Sequence, residues 1–275
     1  MRVGVVGHVE WVDFVRVPQL PAPGEIVHAD EAWAEPAGGG AVAAGQLLRL
    51  AGAVAFFTAL GEDELGRRAR RELTAMGIEL HAAARPEPQR RAITFVDGRG
   101  ERTITVIGER MGPHLDDPLP WRELERLDAV YLTAGDPGAV RAARRARVLV
   151  ATPRALASLR PAKVELDALV GSAKDPGERY RPGELSPPPK LVVWTRGAEG
   201  GSYEDASGHA GTFSAAPPPG PVVDSDGAGD SFAAGLTFGL GAGLPVPDVL
   251  ELAARCAAAS LTGRGAFAGQ RGLSA

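Results

Sequence analysis

The sequence is poor in several residue types that most readily announce a function. One cysteine, Cys256, stands in 275 residues, so no intrachain disulfide and no cysteine-built zinc site can form. Lysine occurs three times, at Lys163, Lys174 and Lys190, and none completes G-x-x-x-x-G-K-[ST], which excludes a P-loop. No G-x-G-x-x-G follows the first strand pattern, "RVGVVG", which argues against the usual dinucleotide-binding unit. His8, His28, His81, His114 and His209 lack metal-ligand spacing and read as packing or surface residues. Positive charge is not in excess either: the formal net charge is −4, which leaves no electrostatic footprint for nucleic acid or an anionic membrane. Apolar runs are short. None reaches a membrane span, and the opening "MRVGVVGHVE" is a strand pattern without the apolar stretch of a signal peptide, so a cytoplasmic protein is expected.

What is present is an ordinary globular composition, 44% hydrophobic and 23% charged, on a chain long enough for a substantial core. Apolar β-rich runs recur at "RVGVVG", "AVAFFTAL", "DAVYLT", "RVLVAT", "DALVG" and "KLVVWT". Between the second and third, "DELGRRARRELTAMG" puts Leu65, Ala69, Leu73 and Met76 on one helical face and ends at Gly77. "DPGAVRAARRA" and "PRALASLR" read as further helices, each opened by a proline. The alternation predicts an α/β fold: a mostly parallel central sheet with helices on both faces. "EIVHADEAWAE" and "RAITFVDGRGERTITVI" read instead as strands without intervening helices, a small sheet able to cover a site. "GSYEDASGHAGTF" reads as a hairpin at an antiparallel edge. The expectation is a single domain over 1–275, with a β lid from about 10–35 and 90–108.

Candidate chemistry gathers in turns that follow predicted parallel strands, where open α/β sheets hold ligands. "TRGAEGG" offers Thr195, Gly197 and Gly200, and "GSAKDPGE" offers Ser172 and Asp175. Downstream, "DSDGAGDSFAAGL" places Asp230 behind a glycine-rich turn at the mouth of a helix. Such a turn lets backbone N–H groups converge on an anion. On residues 227–230 alone, Asp230 is equally well a helix cap or a base. Phosphoryl transfer fits the whole set, since its catalysis is mostly positioning and donors for charge spread over oxygens. The N–H groups of Gly227, Ala228 and Gly229 would then face that charge, and Asp230 would accept the proton of an attacking hydroxyl. An ordinary aspartate, with a pKa of about 3.9, would be a weak base ionised throughout the neutral range. Without lysines nearby, neutralisation falls to a divalent cation, with Asp175 or Asp226 acting directly or through water.

These stretches together resemble the ribokinase-like (PfkB-type) carbohydrate kinases over nearly the whole chain. "DSDGAGD" followed by "SFAAGL" is similar to that family's second signature. "PAPGEIVHADEAWAEPAGGGAVAAGQLLRLAG", "ALGEDELGRRARRELTAMGIEL", "GERTITV" and "WTRGAEGG" follow the family's order. The resemblance implies Asp230 as catalytic base, with Gly227, Ala228 and Gly229 as anion hole. It implies Thr195 and Gly197 beside the ATP phosphates, Asp13 as acceptor for a sugar hydroxyl, and Gly39 and Gly40 beneath the sugar. ATP is the implied co-substrate, with Mg2+ required and Ser172 and Asp175 standing where the family's Asn-x-x-Glu lies near the metal. Departures are visible: Ala41–Ala44 lacks the family's sugar-contacting Asn, and Asp226 is charged where the family usually is not. The implied function is phosphorylation of a hydroxymethyl group of a pentose or hexose. A nucleoside, hydroxymethylpyrimidine or pyridoxal kinase, or a silent sugar- or nucleotide-binding relative, is the alternative. A homodimer through exposed lid strands is a further expectation.

Overall fold

The computed structural model describes residues 1–273. From the amino end, β1 (Val3–Val6) leads into β2 (Glu10–Arg16) and β3 (Glu31–Ala37), then α1 (Gly39–Ala51), β4 (Ala55–Gly61), α2 (Glu64–Ala75) and β5 (Glu79–Arg85). A hairpin, β6 (Arg91–Val96) and β7 (Arg102–Ile107), precedes the alternation of β8 (Ala129–Leu132), α3 (Pro137–Ala143), β9 (Val148–Ala151), α4 (Leu156–Ala162) and β10 (Ala168–Ser172). The chain closes with β11 (Leu191–Thr195), β12 (Gly201–Asp205), β13 (Ala210–Phe213), α5 (Ala228–Gly241) and α6 (Val246–Ser260).

Nine strands form the main sheet in the order β13-β12-β11-β10-β9-β8-β1-β4-β5. All neighbours are parallel except β12 and β13, the expected antiparallel edge. The central strands are continuous apolar runs because both faces are covered: β4 is buried at every residue. Helices α1, α5 and α6 pack on one face, with Val3, Val5, Phe56 and Phe232 in their core. Helices α3 and α4 pack on the other, against Val6, Phe57, Leu132 and Leu149. After β1 the order runs outward through β4, whereas β8 returns to the other side of β1. That reversal opens a crevice beyond the carboxyl ends of β1 and β8, the position at which open α/β sheets generally bind ligands.

Both lid segments leave the main sheet beside this crevice and pair in a separate sheet, order β3-β2-β6-β7. The first is shorter than expected, since Glu25–Asp30 is not a strand and pairing begins at Glu31. Alternation in β2 sends Val12 and Phe14 to the inner face, where they pack with Ala37, Ala92 and Val96 on Val42 of α1 and on Ala266. Val12, Phe14 and Val96 are each less than 5% exposed, and burial of such side chains contributes roughly 1.5–3 kcal/mol apiece. The lid base is therefore docked. Its outer strand β7 is exposed at all six residues, so freedom is confined to that edge.

The "GEDELG" segment serves packing and capping. Asp63 caps α2 by accepting from Gly66 N at 2.9 Å and also accepts from Gln89 N at 3.1 Å. A side chain at Gly66 would collide with the Gly61 carbonyl. Among the described residues no helix is long and apolar enough to cross a membrane.

Candidate active site

The glycine turn before α5 performs the cap itself. Gly227 is the N-cap residue, in the left-handed region at φ 74°, and no side chain caps the helix. Asp230 lies in the first turn, and its carboxylate makes no hydrogen bond among the described residues. The N–H groups of Ala228, Gly229 and Asp230 thus lack intrahelical acceptors, and a Cβ on Gly229 would meet nothing within 4 Å. An open, positively polarised helix end stands next to an unpaired carboxylate.

Residues at the end of β1 and the start of α1 converge on that carboxylate. A Cβ on Gly39 would stand 2.8 Å from Asp230 Oδ1 and 3.5 Å from His8 Cε1. Any other residue at 39 would press on the acid. Gly40 comes equally close to the backbone of His8, where a Cβ would lie 2.6 Å from its carbonyl oxygen. His8 is buried just beyond β1, with Nδ1 3.2 Å from Thr133 Oγ1 and Nε2 3.5 Å from Glu10 Oε1. Burial pushes the His8 pKa down; Glu10 opposes this, while Arg110 and Arg90 reinforce it. Burial would raise Glu10, but contacts with His8 and Arg90 hold its pKa at about 2, and Arg90 Nε donates to it at 2.6 Å.

Asp230 departs from the ordinary aspartate expected of it. Burial, then the negative charges of Glu178 and Asp226, push its pKa up to about 7, with Arg102 and Arg154 only partly offsetting them. A carboxylate that titrates near neutrality is better matched to proton acceptance at working pH than one of ordinary acidity.

The opposite side of the crevice is built by β10 and β11, whose ends Ser172 and Thr195 are register partners. Past Ser172, Asp175 caps a short 3-10 turn by accepting from Gly177 N at 2.7 Å, and it pairs with Arg154. Glu178 at the end of that turn accepts from Ser172 N at 2.6 Å and from Arg154 Nε at 2.9 Å. Beside these strand ends lies an open depression of about 330 Å³, lined by Ser172, Glu178, Tyr180, Trp194 and Arg196 among others. Gly197 is in the left-handed region at φ 64°, with open space around a notional Cβ.

A third cluster joins lid to turn. Arg102 of β7 donates to Asp226 Oδ1 at 2.6 Å, and burial raises the Asp226 pKa despite that partner. Asp224 accepts from Gly265 N at 3.1 Å, and Glu35 of β3 from Ala266 N at 2.7 Å. Burial, with Asp226 and Asp224 adding, pushes Glu35 up to about 7 against the pull of the Ala266 N–H and Arg264.

The structure brings together Asp230, Gly227, Ala228, Gly229, Gly39 and Gly40, and sets Ser172, Thr195 and Gly197 along the adjacent strand ends. Three expected residues fall elsewhere in role. Asp13 is on the face of β2 opposite Glu10 and Val12 and pairs with Arg91 at 2.9 Å, so alternation carries it away from the cluster. Gly200 is required by the hairpin, since a side chain there would collide with the Phe213 carbonyl. Asp175 is engaged as a turn cap, and the acid felt by Asp230 is Glu178. Glu178, Glu10, His8, Arg102, Arg110 and Arg154 were not indicated by the sequence. The signal available was position, since all follow or face predicted strand ends.

Comparison with known proteins shows the family and the fold. The model of the pfkB family carbohydrate kinases matches residues 2–156 and 146–271. An ATP-dependent ribose-1-phosphate kinase of Halopiger xanaduensis is 29% identical over 307 aligned residues, covering 97% of this chain and 94% of the relative. A microbiome-derived acarbose kinase superposes with a TM-score of 0.79 at 24% identity, covering 99% of this chain and 96% of that one. A ribokinase of Thermotoga maritima gives a TM-score of 0.76 at 20% identity, with 98% and 96% covered.

Proposed function

The chain belongs to the pfkB family of carbohydrate kinases, and from that premise we propose that it transfers the γ-phosphoryl group of ATP to a hydroxymethyl group of a pentose or hexose derivative. The observation that supports this reading most directly is Asp230: an unpaired carboxylate, raised to about 7, beside an uncapped helix end and against Gly39. ATP would lie along the ends of β10 and β11, with its phosphates directed at Gly227–Gly229, and the acceptor would rest on Gly39 and Gly40 beneath the lid.

In the reaction, the acceptor oxygen attacks the γ-phosphorus in line, and the bond from that phosphorus to the β–γ bridging oxygen breaks. The bond's electron pair leaves with ADP, and the hydroxyl proton passes to an Asp230 carboxylate oxygen. The first-turn N–H groups of α5 hold the oxygens of the moving phosphoryl group, which costs no reorganisation because they are fixed by the helix. His8 and Thr133 brace the floor behind Gly39.

Magnesium suits the donor set. Glu178 is a hard oxygen donor on the nucleotide side that already accepts from Ser172 N and pairs with Arg154, which fits a cation held chiefly by nucleotide phosphates with this acid nearby. When bound, it would neutralise phosphate charge. An ADP-release assay with MgATP over a panel of pentoses, hexoses and nucleosides tests the reading. Turnover with sugars supports it, and turnover confined to nucleosides refutes it.

The fully exposed edge of β7 further supports pairing between two lids in a homodimer.

A further inference from the structure

The edge strand β5 carries titratable groups that the phosphoryl transfer does not use. Alternation puts Glu79 and His81 on one face of this strand. They lie at the amino end of the sheet, since Glu79 is in register with Ala55 at the start of β4, on the rim opposite the crevice. The His81 ring packs 4.8 Å from Phe57, and Phe57 stacks on Trp121 at 5.7 Å. Trp121 and Leu124 are buried, and Trp121 Nε1 donates to Asp117 O at 3.2 Å. The 3-10 turn Trp121–Arg126 is thus fixed against the same face, and it carries Glu123 to His81.

His81 Nε2 lies 3.4 Å from Glu79 Oε1 and 3.3 Å from Glu123 Oε2. That nitrogen is closed to solvent and is hydrogen-bonded to neither oxygen. One donor atom from each of the three residues lies within 4.8 Å of the other two. Among the described residues no lysine or arginine pairs with Glu79 or Glu123, so two carboxylates converge with only the imidazole between them. Such a meeting is costly unless positive charge joins it. Donors about 2.0–2.1 Å from a tetrahedral ion stand about 3.3–3.4 Å apart, and both nitrogen–oxygen separations have that value. The Glu79 and Glu123 side chains are 66% and 43% exposed against 18% for His81. An ion can therefore enter from the carboxylate side and keep water as its fourth ligand.

We propose that Glu79, His81 and Glu123 bind a divalent transition ion of the zinc class, apart from the catalytic centre, and that the ion ties β5 to the turn leading into β8. One imidazole nitrogen with two carboxylate oxygens suits zinc, whereas magnesium prefers six oxygens in octahedral geometry. The two carboxylates neutralise the ion's double charge. β5 has β4 as its only sheet neighbour, so the ion gives the strand a second anchor. The site is structural, and the phosphoryl transfer does not pass through it. Spacing along the chain hides the set, because Glu123 comes from a separate element.

The test strips the whole protein with a chelator, dialyses it, and titrates it with zinc chloride in excess magnesium, which competes at sites built of oxygen alone. Wild type is compared with Glu79→Gln, Glu123→Gln and His81→Phe. The two amides keep side-chain shape, and Phe keeps a ring against Phe57 while removing the nitrogen. Expected is one zinc per wild-type chain, with the melting temperature raised by roughly 4–8 °C at free zinc a hundredfold above Kd. Each variant should bind zinc at least about a hundredfold more weakly, since even the outer partners of metal ligands are worth about 10- to 100-fold. Without zinc, Glu79→Gln and Glu123→Gln should melt no lower than wild type, because each removes one of two facing charges. Cobalt in place of zinc should give wild type the strong visible absorption of a four-coordinate ion, and His81→Phe should lose it. Absence of zinc binding by wild type would overturn the site and leave His81 a bridge between two acids. Zinc bound equally by all four proteins would also overturn it, because the ion would then lie elsewhere.

Discussion

Replacing Asp230 by Asn separates the base from every structural role, because the two side chains share shape and only one can accept a proton. The pKa near 7, against an ordinary aspartate near 3.9, is a rise of roughly three units, and each unit corresponds to about 1.4 kcal/mol. The folded protein therefore holds a proton on Asp230 between about pH 4 and pH 7 that the unfolded chain has released. Over that window the group makes wild-type stability fall as pH rises. The ceiling on this penalty is about 4 kcal/mol, and solvent in the open crevice reduces it to roughly 1–2 kcal/mol. Asp230→Asn removes the penalty. The variant should melt roughly 2–5 °C above wild type at pH 8 and close to wild type near pH 4, while turnover drops by about 10² to 10⁴. Coupled ADP-release kinetics and melting curves at the two pH values measure both effects. Turnover above a tenth of wild type would remove Asp230 as base. A variant less stable than wild type at pH 8 would show that the carboxylate holds the fold together.

Wild-type kcat/KM should fall on the acid side with an apparent pKa near 7, since it reports the free enzyme's base; an acid limb near 4 would contradict the raised Asp230. Glu178→Gln should move that limb to lower pH and raise the magnesium requirement, whereas Asp175→Asn, a turn cap, should chiefly lower the melting temperature; the reverse pattern would restore Asp175 to the metal. Gly39→Ala should fold yet lose at least about tenfold in turnover, because its Cβ would stand 2.8 Å from Asp230 Oδ1 and a misplaced catalytic group is penalised steeply; wild-type kinetics would show that Gly39 does not define the floor. Asp226→Ala removes the acceptor of the 2.6 Å contact with Arg102 and should raise acceptor KM about tenfold as the β7 edge is freed; unaltered KM would show that the edge does not depend on it.

Elements marked by one dominant physical signal were legible in the sequence. Strands β1, β4, β8, β9 and β10 are buried on both faces and read as unbroken apolar runs, and β11 reads the same way although it is only half-buried. Helix α2 carries a cap, an apolar stripe and a terminating glycine. By contrast β5, "ELHAAAR", borders the sheet and mixes charge with alanine, and its burial comes from β4 and α2 rather than from its own composition. Glu25–Asp30 has the same polar–apolar mixture as the strand after it, but no partner in either sheet. Pairing is a property of the neighbour, and a single run of residues cannot encode it.

The site divides along the same line. Gly227–Gly229 and Gly39–Gly40 announce themselves because backbone approach admits no side chain, a constraint that any sequence must write as glycine. The charged residues carry no such mark. Glu10, Arg102 and Arg110 lie on or beside the lid segments and Glu178 in the turn after β10, far apart in the chain, and only the topology brings them to one crevice. The result is an imbalance: burial, with Glu178 and Asp226 adding, holds Asp230 near neutrality, while Arg110 makes no ion pair among the described residues. Added phosphates from a nucleotide would raise the pKa of Asp230 further, so ionisation of the base depends on the cations facing it. Arg102 and Arg154 already act in that direction, and Arg102 belongs to the only lid strand exposed along its whole length among the described residues. Held on Asp226, Arg102 therefore sets at the lid edge a positive charge that favours the ionised form of Asp230.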